Sequence, residues 1–470
     1  MQFQSISFLV FLVIIFLIYW RLPDKYRWKL LLVAGYFFYV SYNPLYVLLL
    51  FGVTVLTYLT TLQMERVKTH HKKWLLQGYI IVVVGILVLF KYLGFFAEIV
   101  QSICSAMGNT LHFSVLQLIL PVGISFYIFQ TLAYVIDVYY GRIKAERHFG
   151  FFAVSVAFFP ILLAGPIERI QNLIGELKKE KAFSYENSCM AFQNILIGYM
   201  KKMIIADSLA MVVNRIYSDL ETYRGFPLLV AIILYSIEIY CDFSGYSDIA
   251  IGIAELFGIN IHVNFRQPYF ADSVKDFWKR WHISLTSWFR DYIYIPLGGN
   301  RVSPWRVSRN VLCVYLLSGL WHGANWTFLL WGVLNGVIQI IENIISRKNF
   351  PIVLPKSVKR IITFVLVSVM WVFFRADSVP DAMFVIIHCL DGIGVVKDYF
   401  FEGSNLVGVP LMQVGLLLLF IIVLFIIDLL KEKGKLQLIN GFVVSILITL
   451  SMLYYFKYGI DNGTFIYFQF

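Results

Sequence analysis

Residues 311–345, VLCVYLLSGLWHGANWTFLLWGVLNGVIQIIENII, carry an imidazole, His322, inside an otherwise apolar run. As one helix these 35 residues would extend about 52 Å, whereas the hydrocarbon core of a bilayer is ~30 Å thick. A single straight helix does not fit. Gly319 and Gly323 offer a break, while Arg306 and Arg309 before the run and Arg347 and Lys348 after it put positive charge at both outer ends. With both ends cytoplasmic, the run is a hairpin whose crest lies near His322. About twelve helical residues from Arg309 raise the imidazole ~18 Å, close to the bilayer midplane. An ionisable group at that depth is costly and usually functional; the structural alternative is a histidine that hydrogen-bonds a neighbouring helix.

The rest of the chain asks for the same solvent. It has 470 residues, 59% of them hydrophobic and 17% aromatic, with a mean hydropathy of +0.75, which is too apolar for a soluble globule. We therefore expect an all-α polytopic membrane protein. Residues 8–20 have no basic residue before them and no small-residue cleavage site before Arg21-Leu22-Pro23, so they read as a retained helix. The net charge of +11 is spread over short loops, which argues for positive-inside orientation and against nucleic acid as a partner. Cys104, Cys189, Cys241, Cys313 and Cys389 are scattered without a Cys-x-x-Cys pair, and the histidines form no HExxH. Neither a disulfide framework nor a metal site follows.

Apolar segments recur at 5–20, 29–42, 45–62, 75–95, 115–140, 149–165, 189–213, 226–251, 311–345, 361–375, 411–430 and 438–456, which gives ten to twelve passes. Basic loops at 21–29, 66–73, 142–147, 178–181, 275–309, 347–360 and 431–435 mark the cytoplasmic side. Segment 149–165 then has basic loops on both flanks, and Pro160 and Gly165-Pro166 sit where a helix fails, so it is expected to be re-entrant. Loop 376–410 is acidic and should face outward. Both termini fall outside by this count. No internal repeat or low-complexity linker is present, and a single membrane domain, 1–470, is the economical organisation.

Three further stretches carry polar chemistry. In FWKRWHISLTSWFRDYIYIPLGGNR, from Phe277 to Arg301, the side chains of Phe277, Trp278, Trp281, Leu285, Trp288 and Phe289 share one helical arc. This predicts an amphipathic helix at the cytoplasmic interface, within segment 275–309, with His282 at the edge of the arc where it can turn toward a cavity. Glu238, Asp242 and Asp248 lie in or beside the pass from 226, either as structural partners of cations and loop backbone or as a relay or cation site. The structural reading is favoured. The tail, 457–470, turns at Asp461-Asn462-Gly463 and ends Phe465-Ile466-Tyr467-Phe468-Gln469-Phe470, a segment able to fold back onto the outer face. Composition alone would make it an interfacial aromatic belt.

These motifs together resemble the membrane-bound O-acyltransferases. The match rests on WHGANW around His322, on FWKRWHISLTSWFRDYIYIPLGGNR, on YCDFSGYSDIAIG, on LPVGISFYIFQTLAYVIDVYYG and on FFPILLAGPIER. Within the family it is to the bacterial branch of alginate and peptidoglycan O-acetyltransferase membrane subunits. The resemblance covers nearly the whole chain in order. It implies a ring of about ten to twelve transmembrane helices with re-entrant segments around a central funnel that joins a cytoplasmic donor entrance to the outer face. It implies that His322 is the catalytic histidine and His282 the second motif histidine. The tail residues Phe465, Tyr467 and Phe470 match an FxYxxF motif whose tyrosine takes the acyl group first and passes it to an external partner, an SGNH-hydrolase-like transferase.

The expected function is therefore transfer of an acyl group, acetyl by resemblance, from a cytoplasmic thioester to a cell-envelope or exported polysaccharide, in a bacterial inner membrane. The donor is acetyl-CoA or an acyl carrier protein, and no permanently bound cofactor is expected. His322 serves as general base toward the Tyr467 hydroxyl, whose free pKa of ~10 makes it a poor unassisted nucleophile. Asn325 is a candidate to orient the ring or donate to the oxyanion, and Trp321 and Asp242 are candidate supporting residues. A transporter or flippase of an anionic or acylated carrier would also use intramembrane carboxylates and broken segments, and a structural anchor for secreted enzymes is a third reading. Lack of repeats and a lone histidine paired with an external tyrosine weigh against transport.

Overall fold

The computed structural model describes residues 1–108, 120–347, 354–395, 399–400, 411–433 and 466. The fold is all-helical, 77% helix, with no strand among the described residues. The helices are α1 (Ile6–Arg21), α2 (Asp24–Val40), α3 (Pro44–Arg66), α4 (Thr69–Lys91), α5 (Leu93–Ala106), α6 (Ile124–Tyr139), α7 (Phe149–Val156), α8 (Ile170–Lys178), α9 (Tyr185–Tyr199), α10 (Asp207–Tyr217), α11 (Phe226–Leu256), α12 (Val274–Arg280), α13 (Ile283–Phe289), α14 (Pro304–His322), α15 (Trp326–Arg347), α16 (Lys356–Arg375), α17 (Val379–His388) and α18 (Leu411–Glu432). A π-helical stretch, Met200–Ala206, joins α9 to α10. Among the described residues six helices are long and apolar enough to cross a membrane: α3, α4, α11, α15, α16 and, from Val414, α18. The chain is an integral membrane protein. The expected pass at 438–456 lies outside the described residues.

Two compact units are present, one of Met1–Phe192 with Ala250–His262, the other of Gln193–Ile249 with Val263–Phe470. In the first, the Tyr19 hydroxyl and the Trp20 indole donate to the carbonyls of Phe257 and Leu256 at 3.0 and 3.1 Å. The segment 149–165 contains only eight residues of helix, α7, followed by a turn in which Phe158, Phe159 and Ala164 are fully buried. At ~1.5 Å per residue α7 rises about 12 Å, less than half of a hydrocarbon core, as its proline and glycine positions require.

The second unit is organised on the hairpin of α14 and α15. The helix break falls where length and glycine placed it: α14 ends at His322, and Gly323 is extended (φ −166°). Asn325 then caps α15, its Oδ1 accepting from Thr327 N at 3.1 Å. The arms approach backbone to backbone. A Cβ on Gly319 would lie 2.3 Å from the Phe328 carbonyl oxygen, and one on Gly332 2.4 Å from that of Tyr315.

Two expectations need correction. The amphipathic helix over 277–289 is two short helices, α12 and α13, separated by extended Trp281 and by His282 in the left-handed region at φ 43°, ψ 53°. Its apolar arc is nonetheless the buried one: Phe277, Trp281, Leu285, Trp288 and Phe289 are all at most 4% exposed. Periodicity reported which side is buried and missed the backbone reversal. The acidic loop after Ala376 holds a helix, α17, started by Ser378 as N-cap, whose side chain accepts from Asp381 N at 3.2 Å.

The Gly319 contact yields a stability prediction. Gly319→Ala forces the arms apart and should lower stability by about 1 to 3 kcal/mol. Gly52→Ala, on α3 with nothing within 4 Å of the new methyl, should leave it unchanged or slightly raised. Thermal unfolding in detergent compares them; equal midpoints would mean the hairpin does not depend on this approach.

Candidate active site

His322 is the last residue of α14 and 4% exposed. Its ring is surrounded edge-on by Trp321, Trp331 and Phe374, with centroids at 4.9, 5.2 and 5.1 Å. Trp321 comes from the same helix end, Trp331 from α15 and Phe374 from the end of α16. This packing fixes the imidazole and excludes bulk water from its faces.

His282 reaches the same cluster from the break between α12 and α13. Its ring centroid is 5.9 Å from that of Trp321, so one indole stands between the two imidazoles. Asn264 builds the break: its Oδ1 lies 3.3 Å from His282 Nδ1 and accepts from Ser284 N and Oγ at 3.2 and 2.9 Å, while its backbone carbonyl accepts from Ile283 N at 3.0 Å. These bonds satisfy the first amides of α13 and hold a backbone conformation that a side chain seldom adopts. His282 lies outside the spanning helices, and burial alone pushes its imidazole down to about 3, which keeps it neutral at physiological pH.

A cavity of about 210 Å³ opens beside His282. Its walls include Trp278, Leu285, Phe289, Tyr315 and Ser318, and three exposed cations, Lys275, Lys279 and Arg290, line it where it meets solvent. Glu342 of α15 positions the cationic end, because its two carboxylate oxygens accept from Val274 N and Lys275 N at 2.7 and 2.9 Å and so cap α12. His322 does not line this cavity; Ser318, one turn earlier on α14, does. The arrangement suits a thin, apolar-bodied ligand with an anionic group at the basic end.

Asn325 does not meet His322: its amide is spent on the α15 cap and on the Asp377 carbonyl, to which Nδ2 donates at 2.9 Å. Asp242 is 1% exposed and paired with Lys202, and Asp248 is paired with Lys201 at 2.7 Å. Tyr467, Phe465 and Phe470 lie outside the described residues. Ile466 is described; it is 8% exposed, and its backbone N–H donates to Asp242 Oδ2 at 2.9 Å. Sequence reasoning missed Asn264, Glu342 and Lys202. Only Lys202 left a signal, as half of a lysine pair inside an apolar pass.

Residues 151–376, which contain both histidines, match the membrane-bound O-acyltransferase family. A probable alginate O-acetylase of Pseudomonas aeruginosa is 37% identical over 430 residues, 90% of this chain and 81% of that protein. A peptidoglycan O-acetyltransferase of Helicobacter pylori is 35% identical over 386 residues, 76% of this chain and 72% of that protein. A teichoic acid D-alanyltransferase of Streptococcus thermophilus is 27% identical over 242 residues, covering 48% of this chain and 58% of that protein. With a caged histidine at a helix end, a second histidine on a basic-mouthed cavity and relatives of this kind, the chain belongs to the membrane-bound O-acyltransferase family and is an acyltransferase.

Proposed function

We propose that the protein moves an acetyl group from a cytoplasmic thioester across the bacterial inner membrane for O-acylation of an exported or cell-envelope polysaccharide. The observation that carries the reading is His322, an imidazole buried at a helix end, fixed by three aromatic rings and linked through Trp321 to the cavity that His282 lines. The relatives named for alginate and peptidoglycan support a polysaccharide acceptor and acetyl as the group. In this reading ten to twelve helices ring a central funnel, and both termini lie on the outer side.

The imidazole of His322 takes the phenolic proton of Tyr467. The phenolic oxygen attacks the thioester carbonyl, the C–S bond breaks, and the thiolate leaves with that proton as free thiol. The tyrosyl ester then passes its acyl group to a hydroxyl of an SGNH-hydrolase-like partner outside the membrane, and the hydroxyl proton restores the phenol. Coenzyme A and acyl carrier protein both present a phosphate at the end of a pantetheine arm. In this reading Lys275, Lys279 and Arg290, which line the cavity, hold that phosphate while the arm lies beside His282.

Three outcomes test this reading. His322→Ala should lower acyl transfer from radiolabelled acetyl-CoA by about 100- to 10,000-fold at equal expression; turnover within a few-fold of the unaltered protein would remove the histidine from the chemistry. The double variant Lys279→Ala/Arg290→Ala should raise the donor KM by roughly 5- to 20-fold with kcat kept, and added salt should shrink the difference because exposed charges are screened. Running acetyl-CoA and an acetylated carrier protein side by side identifies the donor by the larger KM change. A KM equal to that of the unaltered protein with both donors would place the donor elsewhere.

The tyrosine is tested by its oxygen. Tyr467→Phe keeps the ring and removes the ester-forming atom, so polymer acylation should vanish. With the external partner deleted, mass spectrometry of the C-terminal peptide should find the acyl mass on Tyr467 and lose it in His322→Ala. Normal polymer acylation by Tyr467→Phe would mean direct transfer from donor to partner.

A further inference from the structure

This reaction leaves a buried charge cluster of the same unit without a task. Lys202, Asp207 and Asp242 are 4%, 4% and 1% exposed. Lys202 Nζ lies 2.8 Å from Asp207 Oδ1 and 2.5 Å from Asp242 Oδ1. Close helix approach makes the cluster possible, since a Cβ on Gly245 would meet the Gly198 carbonyl oxygen at 2.8 Å and Lys202 N at 3.0 Å. A buried carboxylate needs donors on both oxygens. Lys202 serves Oδ1 of Asp242, and the donor on Oδ2 is the backbone N–H of Ile466, 224 positions away in sequence and 2.9 Å away in space.

We infer that Asp242, held by Lys202, is the receptor for the C-terminal segment, gripping the Ile466 N–H and so setting the register in which Tyr467 is presented. The grip is on the main chain, immediately before the tyrosine. Consecutive Cα atoms lie ~3.8 Å apart, so a slip of one residue displaces the nucleophile by more than a reacting distance tolerates. Asp242 touches neither donor nor reacting atoms and is a positioning residue. Its catalytic consequence rests on Tyr467 being the acyl acceptor, whereas the docking itself does not.

The test uses the full-length protein and two readouts. Hydrogen exchange of the C-terminal peptide, followed in the Tyr467→Phe background, reports docking without chemistry. Mass spectrometry of Tyr467 acylation reports the consequence. Asp242→Leu removes the acceptor and leaves Lys202 paired with Asp207, so no buried cation is orphaned. Exchange should speed up by at least ~10-fold, and Tyr467 acylation at saturating donor should fall about 10- to 100-fold with donor KM unchanged. Ile466→Pro removes the N–H from the other side and should reproduce the loss, with Ile466→Val restoring it. The double variant Asp242→Leu/Ile466→Pro should be no worse than either single one, because both delete one interaction. Unaltered exchange in Asp242→Leu, or losses that multiply in the double variant, would overturn the receptor. Should Asp242→Leu fail to fold, the Ile466→Pro and Ile466→Val pair makes the same decision. Faster exchange in Asp242→Leu alongside full polymer acylation by Tyr467→Phe would support the receptor and remove only the relay.

Discussion

The contact on which the site depends is the backbone approach of α14 to α15. Gly319 and Gly332 let each helix press on a carbonyl of the other, and any larger residue would hold them apart. Because the arms are that close, Trp331 of α15 reaches the ring of His322 at the end of α14. Trp331 in turn stacks on Trp371 of α16, with centroids 5.9 Å apart and planes 19° apart. The imidazole is thus fixed by helix packing rather than by a loop, and its neighbours are immobilised by the same packing.

Polar groups in this unit show the same economy. Adjacent lysines, Lys201 and Lys202, serve different carboxylates, Asp248 and Asp242, from a π-helical stretch. The wider turn of a π-helix is a frequent way to re-aim side chains at functional positions. Asn264 and Glu342 each satisfy several amides at once, and in doing so shape the break at His282 and the start of α12. Every one of these groups has a partner from a distant part of the chain.

How much of this could be read from the chain depended on whether the information was local. The hairpin was legible because 35 apolar residues exceed a bilayer and glycines stand at the excess. His322 was legible because an imidazole in that setting needs a reason. Around His282, the burial of Phe277, Trp281 and Trp288 followed from spacing, but the break did not, since a left-handed residue leaves no mark on a hydrophobic period. The proposed oxyanion role of Asn325 came from nearness in sequence to His322, and a helix cap claims that side chain first. α17 leaves one local mark in the sequence, the N-cap Ser378 three residues before Asp381, inside a stretch whose acidic composition reads as a loop. Asn264 could not have been found at all: its partners are 18 and 20 residues away, and nothing about an asparagine in a polar linker distinguishes it.

The backbone at His282 has a consequence for how losses of function there are interpreted. Left-handed φ and ψ favour glycine and asparagine and penalise branched residues, so most replacements change both the imidazole and the ease of making the reversal. An alanine at this position confounds the two. Asparagine keeps the conformational preference while deleting the ring, and a branched residue such as valine adds strain on top of that deletion. A graded series across these substitutions therefore separates what the heterocycle contributes from what the bend contributes, a distinction that a single inactive variant cannot draw.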